Sequence, residues 1–439
     1  MGSVHRALTS LSVPSLPRKI FGRPFGRSHR SHRPPSSRPV GRFIPGAGGG
    51  QPDEAAFVLA AVRSYAVGTV LPEPPPGDAW LAVAAGARVL PVILDHIAQS
   101  GRPAPESVGE WQYIGMATHM RALVEARAVQ QAFAGTDVRW VIVKGVVLAD
   151  VIYRRPSVRP YSDLDVLVHP ADLGPALDAL EAAGFQIIDR NWQLIATSSR
   201  GEISLLTPMN TMLDLHWHLL NEASVRAEFT LDVAAMVERR MTVDVDGLDI
   251  PTLRPDDTMV HLALHAALSG GHRLQWLLDV QQALRWCDLP AAELASTAAA
   301  AGALLAVRTM AERAAQYVDP GLQPLVRQLG RPSPWTHAAA ALSRRVPPLG
   351  AETGRRTGRL FFAATRSTTA RSLANFTRAA SAVGRRELTE HDDSVDVSLL
   401  RTPAGSVADR QRWVDAALIE AARAAEVRAS RPSGSKDSK

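Results

Sequence analysis

Apolar and polar positions change rhythm twice along the chain. From residue 53 to 135 apolar residues recur at helical spacing. DEAAFVLAAVRSYAV opens after Pro52 with acids in its first turn, a helix start signal. PGDAWLAVAAGARVLPVILDHIAQ continues the pattern with an interruption at Pro91, and SVGEWQYIGMATHMRALVEARAVQQAFAG predicts a long amphipathic helix ending near Gly135. The rhythm then shortens. WVIV at 140–143, DLDVLV at 163–168 and FQIID at 185–189 read as strands. EISLLTP and TMLDLHW read as a hairpin with PMN at its turn, and TVDVDG with LDIPTL as a second pair of short strands. The segments VVLADVIY and ADLGPALDALEAAG read as helices between them. From Pro255 the helical rhythm returns in RPDDTMVHLALHAAL, in RLQWLLDVQQALRW after Gly270 and Gly271, and in LPAAELASTAAAAGALLAVRTMAERAAQYV. VPPLGAETGRRTGR reads as a linker, HDDSVD as a loop, and residues 409–428 as a final helix before a frayed end.

Strands and helices alternating at this spacing predict an α/β or α+β architecture, with helical regions before and after the sheet. The predicted organisation is a basic tail over 1–52, a helical region over 53–137, a catalytic core over 138–254, a helical cap over 255–345 and a linker with C-terminal helices over 346–439.

Composition changes this picture in one respect. The net charge of +6 is concentrated in residues 1–50, which carry nine basic residues and no acid; the remainder holds 40 basic and 43 acidic residues. The tail, rich in Arg, Ser, Pro and Gly, cannot bury enough apolar surface to offset its ordering entropy and is expected to be disordered. The slightly acidic body lacks the aromatic-rich basic stripe of a dedicated RNA binder, so nucleic acid is not the expected partner. Cys287 is the only cysteine, which excludes an internal disulfide; it is expected to be a small buried apolar residue in a reducing, cytoplasmic setting. No run of 18 apolar residues predicts a membrane span, and the N-terminus lacks the apolar core of a secretory signal.

The candidate chemistry lies between Lys144 and Asp165, KGVVLADVIYRRPSVRPYSDLD. Period-two geometry turns Asp163 and Asp165 to one face of their strand while Leu164 faces the core. Two carboxylates that close repel unless a cation sits between them, and hard oxygen donors at a strand end suit Mg²⁺. If the strand around Asp214 lies beside them, three carboxylates can hold two Mg²⁺ ions for an in-line displacement at phosphorus. Lys144 and Gly145 sit where a strand meets a helix N-terminus, a place that favours phosphate. Arg159 offers a planar fork for a phosphate or, equally, for a nearby acid.

This ordered set resembles a known family. KG, a short helix ending in Tyr153, Arg159, SDLDVLV, a helix ending LEAAGF, LDLHW and then HLALHAALSGGHRLQWLLDV at 261–280 together look like the uncharacterised nucleotidyltransferase family of the DNA-polymerase-β-like superfamily. The resemblance covers roughly residues 55–320. It implies a small mixed sheet and transfer of a nucleoside monophosphate from an NTP, such as ATP, to an acceptor hydroxyl. In that reading Asp163, Asp165 and Asp214 bind two Mg²⁺ ions, Asp214 also deprotonates the acceptor, and Lys144, Gly145 and Arg159 contact the nucleotide. The chain departs from the wider superfamily, which opens its metal motif with Gly-Gly or Gly-Ser, where this one has Lys144-Gly145 and so lacks a hydroxyl.

The remaining polar residues carry weaker expectations. His216 and His218 should share the face of Asp214, either as hydrogen-bonded structural groups or shaping the acceptor site. His261 and His265, four apart on a helix, lack the glutamate of HExxH and are read as packing or cleft-lining groups. Arg273 and Asp279 are read as holding the cap together rather than binding nucleotide, and the eight arginines from Arg355 to Arg386 as a solvated helix face. Two rivals use the same residues: a phosphotransferase moving the γ-phosphoryl group, and a non-catalytic nucleotide-binding protein. A small molecule or peptide ranks first as acceptor.

Overall fold

A computed structural model describes residues 51–105, 108–286, 288–349, 356–386 and 397–430. The basic segment 1–50, Cys287 and the HDDSVD loop lie outside the described residues. In chain order the first helices are α1 (Gln51–Val67), α2 (Ala79–Gly86), α3 (Leu90–Gln99) and α4 (Gly109–Phe133). The middle of the chain gives β1 (Trp140–Ile142), β2 (Asp163–Val168), α5 (Leu173–Ala182), β3 (Gln186–Ile187), α6 (Trp192–Ser198), β4 (Glu202–Leu206), β5 (Met212–His216), α7 (Ala223–Arg226), α8 (Val233–Glu238), β6 (Met241–Val245) and β7 (Leu248–Thr252). The rest is helical: α9 (Pro255–Leu268), α10 (Leu274–Trp286), α11 (Ala291–Ala300), α12 (Leu304–Tyr317), α13 (Gln323–Gln328), α14 (Pro334–Ser343), α15 (Arg356–Ala363), α16 (Thr369–Arg386), α17 (Val397–Arg401) and α18 (Val407–Ser430).

The fold is mixed α/β. Five strands form one sheet in the order β1-β2-β5-β4-β3, with β2 and β5 parallel and the other pairs antiparallel. The hairpin β6-β7 forms a second, two-stranded sheet against β1, where Thr252 Oγ1 donates to Ile142 O at 2.7 Å. Its turn is Asp246-Gly247 with both residues at positive φ, the backbone that a two-residue hairpin turn demands.

Alternation along the strands builds two cores. Leu164, Val166 and Val168 on β2, Leu213 and Leu215 on β5, and Ile203 and Leu205 on β4 enter one of them. That core is closed by Leu173 to Leu180 of α5, by Ala126 and Val129 of α4, and by Trp413, Val414 and Ala417 of α18. Each such side chain removed from water contributes roughly 1.5–3 kcal/mol. The second core is helical and joins distant parts of the chain: Phe57 to Ile97 of the first helices, Met259 to Leu284 of α9 and α10, Ala306 to Ala315 of α12, and Phe362 of α15. Segments that read as separate regions in the sequence thus share one interior, and the C-terminal helices divide between the two cores.

Several elements differ from expectation. Pro91 does not break a helix but stands in the first turn of α3; the break comes at Arg88, a non-glycine at φ 57°. A missing N–H costs nothing in a first turn. The predicted long helix after Leu289 divides into α11 and α12 at Gly302, which sits at φ 67°. The sequence reading missed α6 and α8, although Asn191 and Asp232 cap them by accepting from Leu194 N and Ala235 N.

Candidate active site

The parallel pairing of β2 and β5 sets Asp165 directly opposite Asp214. Both point away from the apolar core, as do Asp163 two residues earlier and, on the paired strand β4, Glu202 and Ser204. The three expected acids therefore share one face of two neighbouring strands. Ser204 Oγ donates to Asp214 Oδ1 at 2.8 Å.

A cation does sit beside Asp165, supplied by the protein. Lys144 Nζ lies 3.1 Å from Asp165 Oδ1, and His216 Nε2 lies 3.2 Å from the same oxygen. The other ring nitrogen of His216 is 3.0 Å from Glu202 Oε2. Burial alone would raise the Asp165 carboxyl, but the Lys144 ammonium and the His216 ring hold it far below the usual range. Burial would lower His216; Glu202 and Asp165 outweigh it and push the imidazole up to about 10, so it is a cation at neutral pH. Burial raises Asp214 to about 6, opposed by His216 and Ser204 and helped by Asp165 and Glu202. Among the described residues no three His, Cys, Asp or Glu groups already converge as a metal cage.

Lys144 and Gly145 follow β1 at the expected strand-to-helix turn. Gly145 adopts φ 53°, and a Cβ there would lie 3.4 Å from the Asp163 carbonyl oxygen and from the Tyr161 ring, so the tight turn favours glycine. The helix that follows widens into a π-type turn at Leu148–Ile152. Arg159 is buried against Asp279 in a two-pronged pair, Nε to Oδ1 at 2.9 Å and Nη2 to Oδ2 at 3.0 Å. Tyr153 donates to the same Oδ1 at 2.6 Å. Asp279 thus ties the strand connection to the cap, and two of the five Arg159 donors are spent on it.

Five of the six expected site residues line a cleft of about 520 Å³, and the sixth, Asp214, lies behind Asp165 on the neighbouring strand and is not among its lining residues. Lys144, Gly145, Arg159, Asp163 and Asp165 stand on one side of it, and Arg88, His265, His272, Arg273 and Arg359 also face it. His265 and His272 flank the Trp276 ring at 5.4 and 5.0 Å between centroids. Burial, with Lys144 adding to it, lowers His265 to about 3; burial, with Arg359 and Arg273, lowers His272 to about 4. Both rings are neutral at pH 7.

His216 and His218 do not share a site. The strand ends at His216, and His218 turns away to accept from Leu220 N through Nδ1. It lines a larger cavity, about 920 Å³, between α18 and the α7–α8 region. That cavity is walled by alanines and aliphatic side chains and by a similar number of polar ones, and three of its charged groups are already paired, Arg226 with Glu420 and Arg239 with Asp257. The smaller cleft is the one that gathers both the expected acids and several basic side chains.

Sequence reasoning missed Glu202, Ser204, Arg88 and Arg359. The first two carried a signal: residues two apart on a strand paired with the Asp214 strand belong to the same face. No local pattern marks Arg88, and Arg359 is marked only as one of the arginine run from 355 to 386, which reads as a solvated face.

A mixed α/β protein in which an acidic strand pair faces a partly basic cleft is the class defined so far. The chain belongs to the uncharacterised nucleotidyltransferase family, whose model matches residues 76–319. Among solved structures it is similar to an antigenic nucleotidyltransferase-like protein from Paracoccidioides brasiliensis, at 14% identity and a TM-score of 0.30, over 47% of this chain and 92% of that one. No curated protein matches the chain. Among the described residues no helix is long and apolar enough to cross a membrane.

Proposed function

We propose that the protein moves a nucleoside monophosphate from an NTP to the hydroxyl of a small molecule or peptide. The observation that carries this reading is the register of β2 and β5, which sets Asp165 beside Asp214 on the face that also bears Asp163. The acceptor oxygen forms a bond to the α-phosphorus while the bond from that phosphorus to the bridging oxygen breaks, and pyrophosphate leaves with the electron pair. The acceptor proton passes to Asp214. Asp214, opposite Asp165 on the neighbouring strand, is the carboxylate assigned to that proton.

The donor set fits Mg²⁺: hard carboxylate oxygens from two adjacent strands, with Asp163 and Asp165 on the cleft wall. Asp163, Asp165 and Asp214 would hold two ions, and the ions would supply charge neutralisation at the attacked phosphate. Lys144, beside Asp165, would add a positive charge that attracts the nucleotide phosphates. Gly145 lets the backbone approach the nucleotide, and Arg159, fixed by Asp279, holds the connection to β2 in place and adds positive potential to the cleft. Catalysis is then mainly positioning and charge neutralisation.

Labelled nucleotide tests this. With α-labelled NTP and mixed small-molecule and peptide acceptors, label should enter the acceptor and pyrophosphate should appear, dependent on Mg²⁺ and Asp163. Acceptor gaining γ-label, with NDP as coproduct, would replace the reading with phosphoryl transfer.

A further inference from the structure

Three arginines enter the cleft from three separate segments. Arg88 sits in the turn between α2 and α3, Arg273 just ahead of α10, and Arg359 on α15. None of the three forms an ion pair with a carboxylate among the described residues, although the molecule pairs Arg139, Arg155, Arg226, Arg239 and Arg285 that way. All three line the same cleft of about 520 Å³, and burial followed by the charges of Arg88 and Arg359 lowers Arg273. Unpaired cations held close together are unfavourable unless an anion completes them.

The backbone is shaped to hold them there. Arg88 adopts φ 57°, a left-handed conformation that a residue with a long side chain rarely takes. The carbonyl of the preceding Ala87 accepts from Gln275 N at 3.3 Å, which fastens this turn to the start of α10. Arg273 is placed by a backbone bridge to Leu349, and its guanidinium lies 4.9 Å over the Trp276 ring. For Arg359 the contact is tighter. Gly270, at φ 87°, lies so close to α15 that a Cβ would come within 3.1 Å of the Arg359 carbonyl oxygen. One turn on, Phe362 is 1% exposed in the helical core, and Arg313 caps its ring at 4.5 Å while donating to Gly271 O at 3.0 Å. The helix is therefore anchored, and Arg359 keeps a fixed place on the cleft rim while its head remains exposed.

We infer that Arg88, Arg273 and Arg359 form a seat for the β- and γ-phosphates of the nucleotide, completed by a residue from outside the stretch that matches the family. The inference rests on the reading that an NTP is the substrate. It separates two duties in the cleft. The carboxylate wall takes the phosphate under attack, and the arginine rim takes the part that leaves. Guanidinium forks suit this task, since each can give two parallel N–H bonds to one phosphate. The cleft volume, about 520 Å³, lies within the range of small-ligand sites. The seat also makes nucleotide binding depend on the docking of α15, some forty residues beyond the family stretch.

Inorganic tripolyphosphate in EDTA is the probe, because it engages the rim without metal and without the carboxylates. Calorimetric titration of the full chain should show binding. Arg88→Gln and Arg359→Gln, both exposed at their heads and safe for folding, should each weaken it about 10- to 100-fold. Asp163→Asn should bind the probe at least as tightly as the parent, because a nearby negative charge is removed. Tripolyphosphate affinity unchanged in Arg359→Gln would overturn the seat while leaving the α-label experiment to stand on its own. Equal competition by an oligoribonucleotide lacking a terminal phosphate would overturn it too, in favour of a strand-binding rim. If α-label never reached an acceptor but the arginine dependence held, the seat would survive and the transfer reading would fall.

Discussion

On one face of the five-stranded sheet Leu164, Val166, Ile203, Leu205, Leu213 and Leu215 are buried under helices that include α4, α5 and α18; on the other, one residue out of step, stand Asp163, Asp165, Glu202, Ser204, Asp214 and His216. The two sets alternate along the same three strands. Stability and chemistry are therefore one residue apart everywhere in the core. The apolar face gains by excluding water and is indifferent to pH. The polar face is held by charges that must balance locally, because burial makes any unpaired member costly.

The comparison is broken most severely at Asp165. Asp165→Asn leaves Lys144 and His216 as buried cations without their shared anion, and about 3–5 kcal/mol of stability should be lost. Denaturant unfolding reads this directly; an unchanged or raised midpoint would show that the three groups are not balanced as described. Leu215→Ala, the neighbour on the opposite face, should cost about 2–4 kcal/mol by opening a cavity. Nucleotide affinity of the folded fraction should hardly move, and a large loss of affinity would mean the faces are coupled.

Asp214→Asn should act in the other direction. The folded-state carboxyl titrates near 6, above the ordinary 3.8, so the fold favours its protonated form. Stability from this group is present in acid and falls as pH rises from about 4 to 6. The amide removes that loss, so the variant should be more stable than the parent at pH 7, by at most about 3 kcal/mol, and the gap should close near pH 4. Melts across that range measure it; a gap independent of pH would assign the effect elsewhere. Transfer activity should be lost regardless. Asp163→Asn gives the smallest change in stability, within about 1 kcal/mol, yet it should abolish Mg²⁺-dependent nucleotide binding. Retained binding would move the metal site away from β2.

Much of this was readable before any coordinates. The DLD strand, the LDLHW strand and the hairpins follow from period-two alternation, which is a local property, and the acids on one face follow with them. What could not be read were partners distant in sequence. Arg159 meets Asp279 across 120 positions, and nothing beside either residue announces the other. Arg88, Arg273 and Arg359 share a cleft only because three helices pack together. The expectation that the arginines from 355 to 386 form a solvated face fails for Arg366, which is buried and donates to the carbonyl oxygens of Ala363 and Thr365; Arg359 stays exposed but borders the cleft, which its own helix does not reveal. His218 leaves the face of Asp214 because the strand stops two residues earlier, and strand ends are the least determined feature of a local pattern.

Trp413 in α18 is completely enclosed, donates to Arg200 O and packs near Trp192, almost a hundred residues after the family stretch ends. Anyone producing this protein by cutting at residue 319 would strip that helix from the sheet and Phe362 from the helical body, leaving two fresh oily surfaces to meet water. Such a fragment should precipitate or be captured by chaperones, and its inactivity would say nothing about catalysis. The shortest piece worth expressing runs to residue 430.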